Sequence, residues 1–288
     1  MIRMFFLLML VIGSGSAEVL PTPLETPPFE SMLLERSGVA AYAELDLLES
    51  TPNDVTDYEA WFAGKDWPAL ICHGGGANDA VRGTAPRGVA SVLTTPGDGE
   101  FHLSGVIFGP EATVALYGSP PNRFGVILDP RILVLMEPAT RERGRILDFL
   151  AYSHSPEDLP EDEDFTFQQL RWAVVMDGVL YVSTAHRTYA ESSGGLNAYV
   201  TAIDLETLEI LWRSEPLVAN SENFLILDDT IVCGYGFTAE EDFICLLSRL
   251  TGETLERIPV PSAPEYFYRE GDSLFVRCYN TDLVYAIN

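Results

Sequence analysis

Met176–Thr184 reads M-D-G-V-L-Y-V-S-T and Asn197–Trp212 reads N-A-Y-V-T-A-I-D-L-E-T-L-E-I-L-W, with a polar loop between them. Asp177-Gly178 is a tight-turn pair, and Val179–Val182 is a β-branched and aromatic run that suits a strand. Tyr199–Ile203 is a second such run. Asp204–Thr207 then makes a polar turn, and Leu208–Trp212 starts a further strand. One unit of this size cannot bury its own faces, so a stable fold requires that it recur.

It does recur. D-G-V-L-Y-V at Asp177 lines up with D-T-I-V-C at Asp229 and D-S-L-F-V at Asp272. Apolar runs precede each copy, at Leu170–Val175, Asn223–Leu227 and Glu265–Tyr268. A further strand follows each, ending in A-I-D at Asp204, L-L-S at Ser248 and A-I-N at Asn288. The intervals between those ends are 44 and 40 residues, the period of a four-stranded propeller blade. An earlier copy, L-M-E-P-A-T, puts Glu137 and Thr140 where Asp204 and Thr207 stand. Its larger spacing is accounted for by an inserted acidic run, Glu157–Asp164, which lacks the D-x-D-x-D-G calcium pattern and reads as a solvated charge run.

Ala202, Asp204, Thr207 and Trp212 resemble the A-x-D-x-x-T-G-x-x-x-W signature of the quinoprotein, or PQQ-like, β-propeller family, with Leu208 in place of Gly. In the next copy Thr251 and Gly252 match, while Ser248 and Glu256 depart from it. The resemblance covers about residues 110–288. It implies an all-β propeller of four-stranded antiparallel blades, four or five in number, with the Trp packed between neighbouring blades. The domain spans 37–288, with the clearest repeats at 110–152, 168–214, 220–260 and 264–288. The last repeat lacks its fourth strand at Asn288, so Val39–Leu48 or a neighbouring strand is expected to close the ring.

The first 17 residues combine Arg3, the apolar run Met4–Ile12 and the small residues Gly15-Ser16-Ala17, as a cleavable signal peptide does. A Pro-rich linker is expected over 18–36, and a short helix over Thr51–Ala63 with Thr51 as N-cap. These features predict an exported protein, periplasmic or extracellular. The chain carries 43 acidic against 17 basic residues, with Lys65 the sole lysine, which disfavours nucleic acid and anionic lipid. No later stretch is apolar for long enough to insert in a membrane.

Chemistry is sparse. Quinone catalysis lacks an adjacent Cys pair and a matching catalytic Asp. Cys72-His73-Gly74-Gly75-Gly76 resembles a lipase oxyanion loop, but the G-x-S-x-G nucleophile elbow is absent. The four cysteines and four histidines show no zinc spacing, so no metal, cofactor or catalytic residue is assigned. If Ile231–Leu247 is a hairpin turning near Thr238–Glu240, Tyr235 faces Phe243 and Cys233 faces Cys245, a candidate disulfide. The longest connection inside a clear blade is Ala185–Leu196, where His186, Arg187, Tyr189 and Glu191 offer mixed donors and acceptors for binding. The reading is a non-enzymatic propeller that scaffolds another envelope or secreted protein. Its alternatives are a quinone- or other small-ligand-binding relative and a carbohydrate-binding propeller.

Overall fold

Short apolar runs punctuated by Gly, Pro and Asp become strands that pair with their sequence neighbours. The structure, a computed structural model, describes residues 18–19, 29–35, 42–71, 102–118, 130–140 and 143–288. The N-terminal part contains β1 (Glu18–Val19), β2 (Leu45–Pro52), the helix α1 (Tyr58–Phe62) and β3 (Ala69–Ile71). Four groups of sheet strands are then laid out in chain order. The first holds β4 (His102–Phe108), β5 (Thr113–Gly118), β6 (Ile132–Met136) and β7 (Arg143–Asp148). The second holds β8 (Gln169–Met176), β9 (Val179–Ala185), β10 (Tyr199–Asp204) and β11 (Ile210–Arg213). The third holds β12 (Leu225–Leu227), β13 (Thr230–Tyr235), β14 (Phe243–Ser248) and β15 (Thr254–Pro259). The last holds β16 (Pro264–Glu270), β17 (Ser273–Cys278) and β18 (Thr281–Ile287). Within each group the strands are antiparallel neighbours, as in propeller blades.

The last sheet takes its fourth strand from the other end of the chain: β2 pairs antiparallel with β18, from Leu45 opposite Ile287 to Pro52 opposite Thr281. The chain is an all-β propeller closed by an N-terminal strand. That strand begins later than Val39, because its outer face meets solvent and needs no apolar alternation to mark it. The expected helix is displaced for the same reason: Thr51 and Pro52 belong to β2, and Asp57 caps α1 by accepting from the Ala60 amide at 2.9 Å. Two further apolar runs that the sequence offers as strands, Val89–Thr94 and Phe124–Leu128, lie outside the described residues, as do the signal segment and the Cys72–Gly76 loop. No helix among the described residues is long and apolar enough to cross a membrane.

Burial falls from the middle of each sheet to its outer edge. β5, β6 and β13 are buried throughout, whereas β2 and β15 are largely exposed. Trp61 and Phe62 of α1, with Trp67, join Trp172 of β8 and Tyr266 of β16 in one aromatic knot, with centroid separations of 4.9–6.1 Å.

Asp177 and Gly178 both take positive φ, 54° and 76°, the twist that a two-residue hairpin turn needs. In the turn between β10 and β11, Asp204 accepts from the Glu206 and Thr207 amides at 2.8 and 2.7 Å, while Thr207 Oγ1 accepts from Glu209. Trp212 then leaves its own sheet. It is buried, its indole N–H donates to the Arg249 carbonyl at 3.1 Å, and its ring lies on Gly252 in the next sheet's turn. One blade earlier, Arg145 holds the corresponding place, eight residues after Glu137, and its guanidinium donates to the Leu205 carbonyl. Each donor therefore reaches the carbonyl one residue past the turn's first side-chain acceptor, Asp204 or Ser248, in the following blade.

Two outer edges are covered from the N-terminal segment. Met32 exchanges backbone hydrogen bonds with Arg213 at 2.9 and 2.8 Å, and the Leu34 amide reaches the Thr251 carbonyl at 3.1 Å. The 29–35 part of the expected linker is thus a strap laid along β11. β1 pairs in parallel with β7 at Leu147 and Asp148. Covered edges offer no free backbone for chance pairing.

Candidate functional site

Three connections converge at one end of the second and third sheets: 153–168 before β8, 186–197 between β9 and β10, and 236–242 between β13 and β14. Polar side chains brace them from inside. His186 is buried, its Nε2 lies 2.8 Å from Ser193 Oγ, and its Nδ1 accepts from the Thr188 amide at 3.3 Å. Burial, only partly offset by Asp158, pushes its pKa down to about 4, so the ring is neutral near pH 7. Asn197 Oδ1 accepts from the His186 amide at 2.9 Å. Ser192 donates to Asp162 at 2.7 Å and its carbonyl accepts from the Leu159 amide at 2.9 Å, which seats the acidic run against the loop. From the other side, Glu240 accepts from the Ala190 amide at 2.8 Å and also receives the Tyr235 hydroxyl. The hairpin turns at Thr238, with φ 46°, and places Tyr235 opposite Phe243 as expected.

The four nominated loop residues therefore separate. His186 is an internal brace and presents nothing to solvent. Arg187 turns toward Glu222, at 3.6 Å, where that carboxylate also meets Arg171 at 2.7 Å. Tyr189 is exposed and sets its ring edge-on to Phe237 at 5.1 Å, and Glu191 is exposed. What sequence reasoning missed lies on the neighbouring insertion: Leu159 and Phe165 stand exposed beside Tyr189's loop, at 38% and 63%. A phenylalanine closing a run of acidic residues is the signal that marked it, since a purely solvated run has no use for one.

A second charged group fastens the last sheet to α1. The buried guanidinium of Arg277 lies 3.7 Å from Glu265 and 3.5 Å from Asp282, and stacks on Tyr58 at 4.4 Å. Arg171 is pulled down to about 10 by burial, with Arg187 adding and Glu222 opposing, and stays charged. These charges are spent on one another, and removing one partner of such a pair costs about 3–5 kcal/mol. This belt is a fastening.

Cys233 and Cys245 stand directly opposite, as the hairpin register requires. They are separate buried thiols rather than a disulfide, and Cys233 Sγ donates to the Cys245 carbonyl at 3.6 Å. The candidate disulfide is not formed here: adjacent strands bring the two together, but directly opposed positions fit disulfide geometry only under strain. Burial raises both thiols, Cys245 to about 12, which keeps them protonated and inert. Among the described residues no three His, Cys, Asp or Glu side chains are grouped to hold a metal ion. Ala202 is buried within β10, and Thr251 and Gly252 occupy the turn after β14, with Thr251 Oγ1 accepting from the Glu253 amide at 3.4 Å.

No protein-family model matches the chain, and no curated protein matches it. Among solved structures it is similar to the glutaminyl cyclase of Myxococcus xanthus, with 10% identity, coverage of 85% of this chain and 97% of that one, and a TM-score of 0.38. It is similar to BamB from Moraxella catarrhalis at 13% identity, covering 66% and 70% of the two chains, with a TM-score of 0.31. The computationally designed Ika4 protein shows 13% identity, coverage of 64% and 89%, and a TM-score of 0.36. Likenesses at these TM-scores carry no argument, and the propeller assignment rests on strand order and register.

Proposed function

We propose that this chain is an exported, PQQ-like β-propeller that acts as a non-enzymatic scaffold, docking another envelope or secreted protein on its three-loop face. The observation that carries the reading is the pairing of exposed apolar side chains with internal bracing. Leu159, Phe165 and Tyr189 are 38%, 63% and 44% exposed on adjoining loops that Ser192, His186 and Glu240 hold in place. Preformed loops lose little entropy on binding, and an apolar centre with a polar rim is the anatomy of a protein interface. The rim is acidic, with Glu157, Glu161, Glu163, Asp164, Glu191 and Glu241 exposed or half-exposed, so the partner's surface is basic around an apolar patch.

The test is affinity capture of the tagged chain from cross-linked envelope and culture fluid, read by mass spectrometry. Replacing the whole 185–196 loop would remove buried His186 and Ser193, so the discriminating variant is Leu159→Ser/Phe165→Ser/Tyr189→Ser. A reproducible partner lost from this variant, at unchanged melting temperature, supports the reading. A partner retained by the variant moves the interface elsewhere, and capture of nothing above background in either fraction sinks the scaffold.

A further inference from the structure

Arg213, at the end of β11, is 2% exposed and has no carboxylate beside it among the described residues. Its Nε donates to Thr201 Oγ1 at 3.1 Å, the one hydrogen bond of its side chain among the described residues. Two tyrosine rings face the guanidinium carbon, Tyr152 at 4.6 Å and Tyr199 at 5.2 Å. The contrast with the other deeply buried arginines is sharp: Arg277 has Glu265 and Asp282, and Arg171 has Glu222. In a chain with 43 acidic residues to 17 basic, a buried cation without an acidic neighbour is not a shortage of carboxylates.

The groups around it are also short of partners. Tyr152 Oη and, next to it in the chain, Ser153 Oγ are buried with no hydrogen-bond partner. So is Gln168 Oε1, on the residue whose amide donates to the Ser153 carbonyl at 2.7 Å. Tyr199 turns its hydroxyl to the Phe29 carbonyl at 2.9 Å instead. Buried polar groups are normally paired, and a buried charge without compensation is among the costliest arrangements in a protein. One guanidinium walled by two aromatic faces, with an unpartnered hydroxyl on one of those tyrosines and another on the residue after it, matches a small oxyanion in charge and in donor chemistry.

We infer that Arg213, with the Tyr152 and Ser153 hydroxyls, forms a buried binding site for a small oxyanion, such as a carboxylate or phosphate, beneath the Phe29–Glu35 strap. The strap lies over it because Met32 pairs with the Arg213 backbone and Phe29 packs edge-on against Tyr199 at 6.3 Å. Entry therefore follows release of the strap from β11. The site is separate from the loop face and does not depend on the scaffold reading.

The experiment is a thermal melt of the whole protein against sodium acetate and sodium phosphate, at ionic strength held constant with sodium chloride. A ligand that binds only the folded state raises the melting temperature in a saturable way. The expected result is a saturable rise of several degrees in wild type and a flat response in Arg213→Met. Tyr152→Phe, which keeps the ring stack and loses the hydroxyl, should need at least ten-fold more anion. Response to acetate alone assigns the site to carboxylates, and response to both probes assigns it to oxyanions generally. Equal responses in wild type and Arg213→Met, or none to either probe, overturn the inference. Should Arg213→Met fail to fold, saturation transfer from wild type to the acetate methyl, competed by phosphate and weakened in Tyr152→Phe, decides it; no transfer overturns it.

Discussion

The turn at Asp204 and the turn at Ser248 have the same shape and different chemistry. Both put a residue with left-handed backbone at the fifth position, Leu208 at φ 62° and Gly252 at φ 78°. Leu208 shows that the conformation alone does not demand glycine. The demand comes from the preceding blade: a Cβ on Gly252 would sit 2.5 Å from Cε3 of Trp212, whereas Arg145 reaches the Asp204 turn through its guanidinium alone. Glycine and tryptophan in this motif therefore form a pair across a blade boundary. Where the tryptophan is missing from one blade, the glycine is dispensable in the next.

The largest expected effect follows from deleting the tryptophan. Trp212→Ala should destabilise the fold by about 3–5 kcal/mol in urea melts, since it empties a buried aromatic position and orphans the Arg249 carbonyl. An unchanged midpoint would remove Trp212 from the blade junction.

Gly252→Ala should cost about 2–4 kcal/mol, combining overpacking with a positive φ. In a Trp212→Ala background the same change should cost only about 1 kcal/mol, the backbone part. Additive effects in that cycle would break the pairing of the two residues.

At the earlier junction, Arg145→Ala should cost about 1–2 kcal/mol, because a half-buried charge-assisted bond is lost without a large cavity. A loss as large as that of Trp212→Ala would mean that the two junctions are built alike after all.

The smallest effect is a pH dependence. Amide and hydroxyl hydrogen bonds from Thr207, helped by the Glu206 amide and Arg145, hold the Asp204 carboxyl below its usual range. A depressed carboxyl stabilises the fold above its unfolded pKa of about 3.9 and loses that contribution as pH falls through the folded value. Asp204→Ser, which copies the Ser248 turn, should lose less stability than wild type between pH 5 and pH 3. Parallel stability curves would show that the carboxyl's charge contributes nothing to the turn.

Much of this was legible in the chain because it is local. Asp177-Gly178 dictates its own turn, and the opposition of Cys233 and Cys245 follows from counting back from Thr238–Glu240. Inner and middle strands show as apolar runs: Leu170–Val175 falls within β8, Val179–Val182 within β9 and Tyr199–Ile203 within β10. Outer strands show less clearly: Leu208–Trp212 is observed as β11 (Ile210–Arg213), but β2, with one face to water, lies at Leu45–Pro52 rather than over the more apolar Val39–Leu48. The loop residues failed for the opposite reason. His186 looks like a surface ligand in a polar loop, and its burial depends on Ser193, Asn197 and an insertion about thirty residues upstream, none of which the local pattern encodes.

Closure by β2 also sets an order in time. Leu45 finds its partner only when Ile287 is available, so β2 stays unpaired while everything between the two is made. Loop-closure entropy rises only slowly with length, so the waiting costs little at equilibrium, but pairing at such separation is slow. Until β2 docks, β18 in turn has an unpaired edge at the place where the folded molecule is sealed. The seam that finishes the ring is thus also the last point at which a folding chain is open to pairing with another copy.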